Sequence, residues 1–322
     1  MQAATPGILL CVALAAVADW LGAATGLPGM LLALAMGFLA SAVADRPALA
    51  PGIALAAKTL LRLGVACLGA KLTWAQLDQL GPGVGLLVIL AVAATIVLGA
   101  AVGRSLKLGW GFSVLCAGAV AICGASAALA IAAALPERED VRRGLPLVVA
   151  GVTVLSTLAM LAYPLLAVLL NYTPQQTAVF LGATIHDVAQ VAGAGFAVSD
   201  PVGQSAVAVK LARVACLLPA VYLIGLLFRD DRTSSRAAAL PWFLIAFAAL
   251  AAARSVGWIG DAAGEAIGGA GRTLLLVAIV ALGLRTRPRD LLSAGWRPLS
   301  LLIVTSGLLA GGVAAALSLG IP

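Results

Sequence analysis

Apolar runs broken by short polar stretches follow one another along the whole chain. The first covers about Gly7 to Ala18 and continues past Trp20; no Lys or Arg precedes it, so it reads as a retained helix rather than a secretory signal. The second, about Leu27 to Val43, stops at Asp45-Arg46-Pro47. The third, about Ala50 to Ala70, carries Lys58 and Arg62 near its start, and the fourth, about Gly83 to Val102, ends at Arg104 and Lys107. Further runs lie at Trp110 to Leu135, Leu145 to Leu170, about Val202 to Phe228, Leu240 to Ala253, Arg272 to Leu284 and Pro298 to Leu319, with one more at about 175–198. The Gly-rich stretch Arg254 to Gly271, of mixed polarity, is expected at an interface. Apolar stretches near 20 residues long read as membrane-crossing helices, so the pattern predicts an all-α polytopic membrane protein with about 9–11 transmembrane segments. Residues 1–322 are read as a single integral membrane transporter domain.

Composition agrees with that class. The chain is 62% hydrophobic and 10% charged, far from the balance of a soluble domain. Its formal charge of +7 sits on basic residues scattered through short loops, as topology signals do, so no nucleic-acid partner is expected. Cys11, Cys67, Cys116, Cys123 and Cys216 lie inside apolar runs without metal-ligand spacing, so they read as packing residues, with no metal or cofactor.

Two segments do not read as plain spans. In the segment 110–135 the middle is Gly118-Ala119-Val120-Ala121-Ile122-Cys123-Gly124-Ala125-Ser126-Ala127, with little bulk to face lipid. Small residues permit tight helix packing, and they also permit an interrupted helix whose freed amides face a ligand. In the segment 175–198, Gly182 to Gly195 sets His186, the single histidine of the chain, beside Asp187, with Thr184 and Gln190 close by in sequence. Ionisable groups at membrane depth are costly and normally face a protein interior or a watery cavity. Lys210 and Arg213 lie well inside the following run, three residues apart and so on one helix face.

Charge placement separates two topologies. If both unusual segments enter and leave on one side of the membrane, Arg46, Lys58, Arg62, Arg104, Lys107, Arg138, Arg142, Arg143, Arg229, Arg232, Arg236, Arg285, Arg287, Arg289 and Arg297 fall inside. Only Lys71, Arg254 and Arg272 then fall outside, as the positive-inside rule prefers. The expectation is an inside N-terminus and two re-entrant segments entering from opposite faces; broken crossing helices are the other arrangement. A short echo supports an inverted repeat: Leu68-Gly69-Ala70-Lys71-Leu72 through Leu77 aligns with Leu282-Gly283-Leu284-Arg285-Thr286 through Leu291, and Gly81 with Gly295.

Five blocks also carry a resemblance: Ile122 to Ala127, Thr157 to Pro164, Gly182 to Gly195, Val209 to Val214 and Ala281 to Leu284. Together they resemble the signature blocks of the YeiH family, bacterial inner-membrane proteins labelled sulfate exporters, over nearly the whole chain. The resemblance implies membership of the cation:proton antiporter and anion transporter superfamily, with inverted repeats, interrupted helices and an elevator-like motion. It also implies the inner membrane and, by analogy with elevator-type relatives, a homodimer. Asp187 stands where the family commonly has Glu, one methylene longer.

The expected function is therefore secondary active transport of a small anion, a sulfur oxyanion or sulfonate. The backbone of Cys123, Gly124, Ala125 and Ser126 and that of Gly182 to Thr184 would form two halves of an anion cradle, with Lys210 and Arg213 supplying charge. Gln190 and Thr184 would add polar contacts. His186 and Asp187 would carry the coupling proton, since histidine switches near neutrality. A packed ion pair, with Asp187 neutralising Lys210 or Arg213, is the plainer arrangement. A sodium-coupled organic-anion symporter is the alternative function, with Gln190 and Thr184 as cation ligands. No Gly-x-Ser-x-Gly, His-Glu-x-x-His or paired-carboxylate arrangement accompanies His186, so no enzyme is expected.

Overall fold

The computed structural model describes residues 4–25, 29–44, 46–71, 74–136, 139–228, 242–285 and 296–320. Asp45, Arg138, Arg229, Arg232, Arg236, Arg287 and Arg289 of the charge pattern lie outside the described residues. So do Leu72, Thr286, Leu291 and Gly295 of the internal echo and the side chains of Arg142 and Arg143.

The protein is all-helical, with no strand among the described residues. In chain order the helices are α1 (Thr5–Thr25), α2 (Gly29–Leu39), α3 (Ala50–Leu55) and α4 (Leu61–Leu68), then α5 (Trp74–Ser105), α6 (Trp110–Ala121), α7 (Ala125–Ala134) and α8 (Glu139–Leu169). They continue with α9 (Pro174–Thr184), α10 (Val188–Val198), α11 (Asp200–Ala215) and α12 (Leu217–Leu227). The last are α13 (Trp242–Ser255), α14 (Asp261–Arg285) and α15 (Trp296–Ser318). A π-helical turn at Ala56–Leu60 joins α3 to α4, so that Ala50–Lys71 acts as one span. Among the described residues, seven helices are long and apolar enough to cross a membrane. α6, α7 and α10 are shorter apolar helices.

Gly81 and Pro82 kink α5, with Gly81 at φ 77° and ψ 156°. Helix α14 begins at Asp261, well before the apolar run that starts at Arg272, because the glycines between are packing positions. Gly264 lies against the Ala70 carbonyl, and Gly271 against the Gly64 carbonyl and Cys67.

The chain divides into two compact units. The first comprises Met1–Gln79, Ala189–Val207 and Pro241–Arg287. Its centre is α14, which packs on α1, α2 and α4. Gly37 of α2 and Gly283 of α14 stand backbone to backbone, each where a Cβ would strike the other helix, and small residues let membrane helices approach that closely. Lys71, Arg254 and Arg272, the three basic residues expected outside, each carry an acid partner in this unit: Glu265 at 2.7 Å, Asp261 in direct contact, and Asp200 at 3.7 Å.

The second unit comprises Leu80–Val188, Ala208–Leu240 and Pro288–Pro322. Here α15 packs on α6, α8 and α9, and α7 packs on α6, α8 and α12. Helix α6 is buried from Gly111 to Ala121, which accounts for a sequence with so little bulk to offer lipid. Large apolar side chains left open on α5 and α8, among them Leu86, Ile89, Leu165 and Val168, form the surface that lipid tails cover.

Candidate functional site

The site is built on two helix interruptions within the second unit. Helix α9 has a firm start. Thr173 Oγ1 accepts from the Gln176 amide at 3.2 Å, the Gln176 side chain accepts from the Thr173 amide at 3.0 Å, and Pro174 fills the first helical position. The helix ends at Thr184, Ile185 turns extended at φ −64° and ψ 136°, and α10 restarts at Val188. Likewise α6 ends at Ala121, Ile122 leaves the helix at φ −112° and ψ −84°, and Gly124 opens α7 at φ 65° and ψ −125°. Backbone of that kind is open to glycine and strained for any residue with a Cβ. A Cβ on Gly124 would stand 3.7 Å from the His186 carbonyl oxygen and 3.8 Å from the His186 Cβ, so the two interruptions touch.

Ending a helix inside a membrane leaves carbonyls without partners, and nothing in the hydrocarbon can supply donors. Lys210 and Arg213 of α11 supply them here. Both side chains are fully buried. Lys210 Nζ donates to the Ile122 carbonyl at 2.6 Å and to the Ile185 carbonyl at 2.9 Å, which ties one interruption to the other. Arg213 Nε donates to Ala121 at 3.0 Å, Nη1 to Gly182 at 3.3 Å and Ile185 at 3.0 Å, and Nη2 to Val120 at 2.9 Å and Ala121 at 2.8 Å. The guanidinium has five N–H donors, and the five bonds engage them all. Each cation also sits at the negative, carboxyl-terminal ends of α6 and α9, where positive charge is favoured.

His186 is buried, at 1% exposure, in the α9–α10 interruption. Its Nε2 lies 2.9 Å from Ser306 Oγ, and Ser306 Oγ lies 2.8 Å from the Leu302 carbonyl one turn back along α15. The Ser306 hydroxyl thus bridges the ring and the backbone of α15. Nδ1 is buried as well, and the Val120 carbonyl, which accepts from Arg213 with one of its two lone pairs, lies toward the ring. Next along the chain, the Asp187 amide donates to Ser156 Oγ of α8 at 3.0 Å. Asp187 faces Lys210 electrostatically, and Cys123 feels Lys210, Asp187 and Arg213 together.

The second unit thus brings together Cys123, Gly124, Gly182, His186, Asp187, Lys210 and Arg213. Ala125 and Ser126 form the first turn of α7, half-buried and exposed respectively, and no side chain caps that turn. Two sequence expectations meet a different geometry. Gly182 and Thr184 lie at the carbonyl end of α9, so they present acceptors where an amide cradle was expected, and the Thr184 hydroxyl is turned back to the Phe180 carbonyl at 2.5 Å. Lys210 and Arg213 reach backbone carbonyls, so Arg213 can act on a ligand through its charge alone in this conformation. Gln190 belongs to the first unit, where it is buried with Oε1 lacking a partner. Ser156 and Ser306 escaped sequence reading. Their only signal was a hydroxyl inside an apolar run, most visible in the adjacent pair Thr305-Ser306.

Asp187 faces Lys210, and Arg213 is held by backbone carbonyls, so with neutral His186 these groups sum to a formal charge of +1. Unbalanced buried charge costs several kcal/mol, and the first-turn amides of α7, at Ala125, Ser126 and Ala127, are capped by no side chain.

Fold and site define a multi-pass membrane protein with paired helix interruptions held by buried cations. The family model described as "Conserved hypothetical protein 698" matches residues 6–302. The UPF0324 membrane protein TauZ of Paracoccus denitrificans is 43% identical over 316 residues, covering 96% of this chain and 94% of its own length. A UPF0324 membrane protein of Rhizobium meliloti is 43% identical over 303 residues, 92% of this chain and 88% of its own. One of Chlorobaculum tepidum is 40% identical over 310 residues, 95% and 87%. No solved structure matches the chain. The chain belongs to the UPF0324 family, the family its sequence blocks resemble, and it is a multi-pass bacterial membrane protein.

Proposed function

We propose that this protein is a secondary active transporter of a small anion, a sulfur oxyanion or sulfonate, that binds where the two interrupted helices meet. The observation that carries the reading is the charge balance of the locus: Lys210 and Arg213 against Asp187, beside the uncapped amino end of α7. His186 and Asp187 carry the coupling proton, His186 as a ring buried in the α9–α10 interruption and bonded to Ser306. Binding and release, rather than bond chemistry, are what such a locus does: two cations draw the anion in, and the helix ends orient it.

The sodium-coupled alternative needs oxygen ligands for a second cation. The carbonyls of Val120, Ala121, Ile122, Gly182 and Ile185 at the interruptions already accept from Lys210 and Arg213, which weighs against it. Thermal unfolding of the detergent-purified protein, with sulfate, sulfite and alkylsulfonates, in sodium and in sodium-free buffer, tests the reading. Ligands that bind the folded state raise the midpoint by mass action. A shift by one of these anions, equal with and without sodium, supports it. A shift by sodium alone refutes it.

A further inference from the structure

Two cations of the first unit stand outside the site described above. Lys58 and Arg62 lie inside the membrane-capable span Ala50–Lys71, and neither has an acid partner among the described residues. The described acids of this unit are placed elsewhere: Glu265, Asp261 and Asp200 hold Lys71, Arg254 and Arg272, and Asp19 lies beside Gly29 at the start of α2. The backbone marks the same place. Lys58 sits at the centre of the π-helical turn Ala56–Leu60, and turns of that kind are rare and recur at functional sites. Ala56 and Ala57 are buried where α14 packs on the turn, whereas Lys58 is exposed. Leu55 and Leu63, about one turn to either side, are open as well, at 38% and 39% exposure. A cation on a face of that composition has lipid for a neighbour, and charge there is costly without a counter-ion.

Side chains on a helix lean toward its amino terminus, so both cations reach toward the Ala50 end of the span, with their stems along apolar surface and their heads nearer headgroup depth. Phe243 of α13 steadies Arg62, its ring centroid 5.9 Å from the guanidinium carbon, and Trp242 stands edge-on to Phe243 at 6.4 Å. A guanidinium held over a ring face keeps its N–H edge open to an oxyanion.

We propose that Lys58 and Arg62 form a binding site for the phosphodiester of an anionic glycerophospholipid, in the leaflet at the Ala50 end of this span. Charge chooses the occupant. Two cations without an acid suit a headgroup of net negative charge, whereas a zwitterionic headgroup brings an ammonium that the pair repels. Four residues apart on one helix face, the two heads can grip one phosphate, Arg62 by paired N–H donors and Lys58 as a point charge. The site is independent of the proposed anion transport.

Native mass spectrometry of the full-length protein in detergent, titrated with phosphatidylglycerol and with phosphatidylcholine of the same acyl chains, tests the proposal. A basic residue near a lipid surface is worth about fivefold in affinity, so phosphatidylglycerol is expected to bind roughly twentyfold more tightly than phosphatidylcholine. Lys58→Gln and Arg62→Gln should each remove about fivefold of that preference and the double variant nearly all of it, with phosphatidylcholine binding unchanged. Should Arg62→Gln, which loses its contact with Phe243, fail to fold, Lys58→Gln decides alone. Arg297→Gln removes an exposed cation of α15 and should leave the preference intact. Inorganic phosphate at the lipid's concentration should not displace it. Equal binding of the two lipids, a preference that survives in Lys58→Gln and in the double variant, or the same loss in Arg297→Gln as in Lys58→Gln overturns the proposal. Displacement by inorganic phosphate overturns it too, since the pair would then hold a free anion instead of a lipid.

Discussion

Gly124→Ala isolates the geometry on which the site depends. The nearest atoms to a Cβ at this position are Val152 Cγ2 at 3.6 Å and the His186 atoms at 3.7 and 3.8 Å, all ordinary contacts, so the substitution brings no clash. What it brings is backbone strain at φ 65° and ψ −125°, worth about 1–3 kcal/mol. Alanine also restricts the unfolded chain, which offsets roughly 0.4–1 kcal/mol of that. A net loss of about 1–2 kcal/mol lowers the unfolding midpoint by roughly 2–8 °C. Relaxing the strain instead would carry the Ile122 carbonyl away from Lys210, losing the 2.6 Å bond between the two interruptions. Gly307→Ala is the control. It lies within α15 with no atom inside 4 Å of the new Cβ, and a helical Gly→Ala exchange is favourable by about 0.5–1 kcal/mol. Thermal melts of both variants followed by circular dichroism give the comparison. Equal midpoints for Gly124→Ala and Gly307→Ala would refute the claim that the α6–α7 interruption requires glycine.

Three other outcomes follow from the same geometry. Arg213→Lys replaces five donors by at most three and leaves carbonyls at the ends of α6 and α9 unpaired; unfolding in detergent should show a loss of about 2–4 kcal/mol, and an unchanged midpoint would contradict the capping role. Since His186 is the single histidine, imidazole nitrogen NMR on uniformly labelled protein reports that ring alone; Ser306→Ala should shift the Nε2 resonance, and an unchanged spectrum would contradict the bond between His186 and Ser306. With Lys71, Arg254 and Arg272 paired to acids and expected outside, a cysteine at Gly257 in a cysteine-free background should react with a membrane-impermeant thiol reagent on intact cells. Reaction only after permeabilisation would reverse the orientation.

The helical class and most of the apolar runs were legible because lipid forces every span to satisfy its own backbone, which turns hydropathy into structure. The small-residue middle of 110–135 and the glycines near His186 marked where helices are interrupted, since only such residues tolerate the departure. The direction of each helix end was not legible. Gly182 and Thr184 read as amide donors and lie at a carbonyl end, because composition marks an interruption without saying which helix terminus faces it. Lys210 and Arg213 stood out as buried cations, but their partners are backbone atoms distant in sequence, which no side-chain pattern reveals. The role of Ser306 was not legible for a related reason: it arises from packing α15 against the interruption, and a hydroxyl in an apolar helix most often bonds its own preceding turn.

Transport itself is measured most directly by uptake of a radiolabelled sulfur oxyanion or sulfonate into proteoliposomes holding the purified protein, with a proton gradient, with a sodium gradient and with neither. The account predicts saturable uptake that responds to the proton gradient, ignores sodium, and is lost in folded Lys210→Met. Uptake that requires sodium, or that proceeds unchanged in Lys210→Met, would contradict an anion site at the paired helix interruptions.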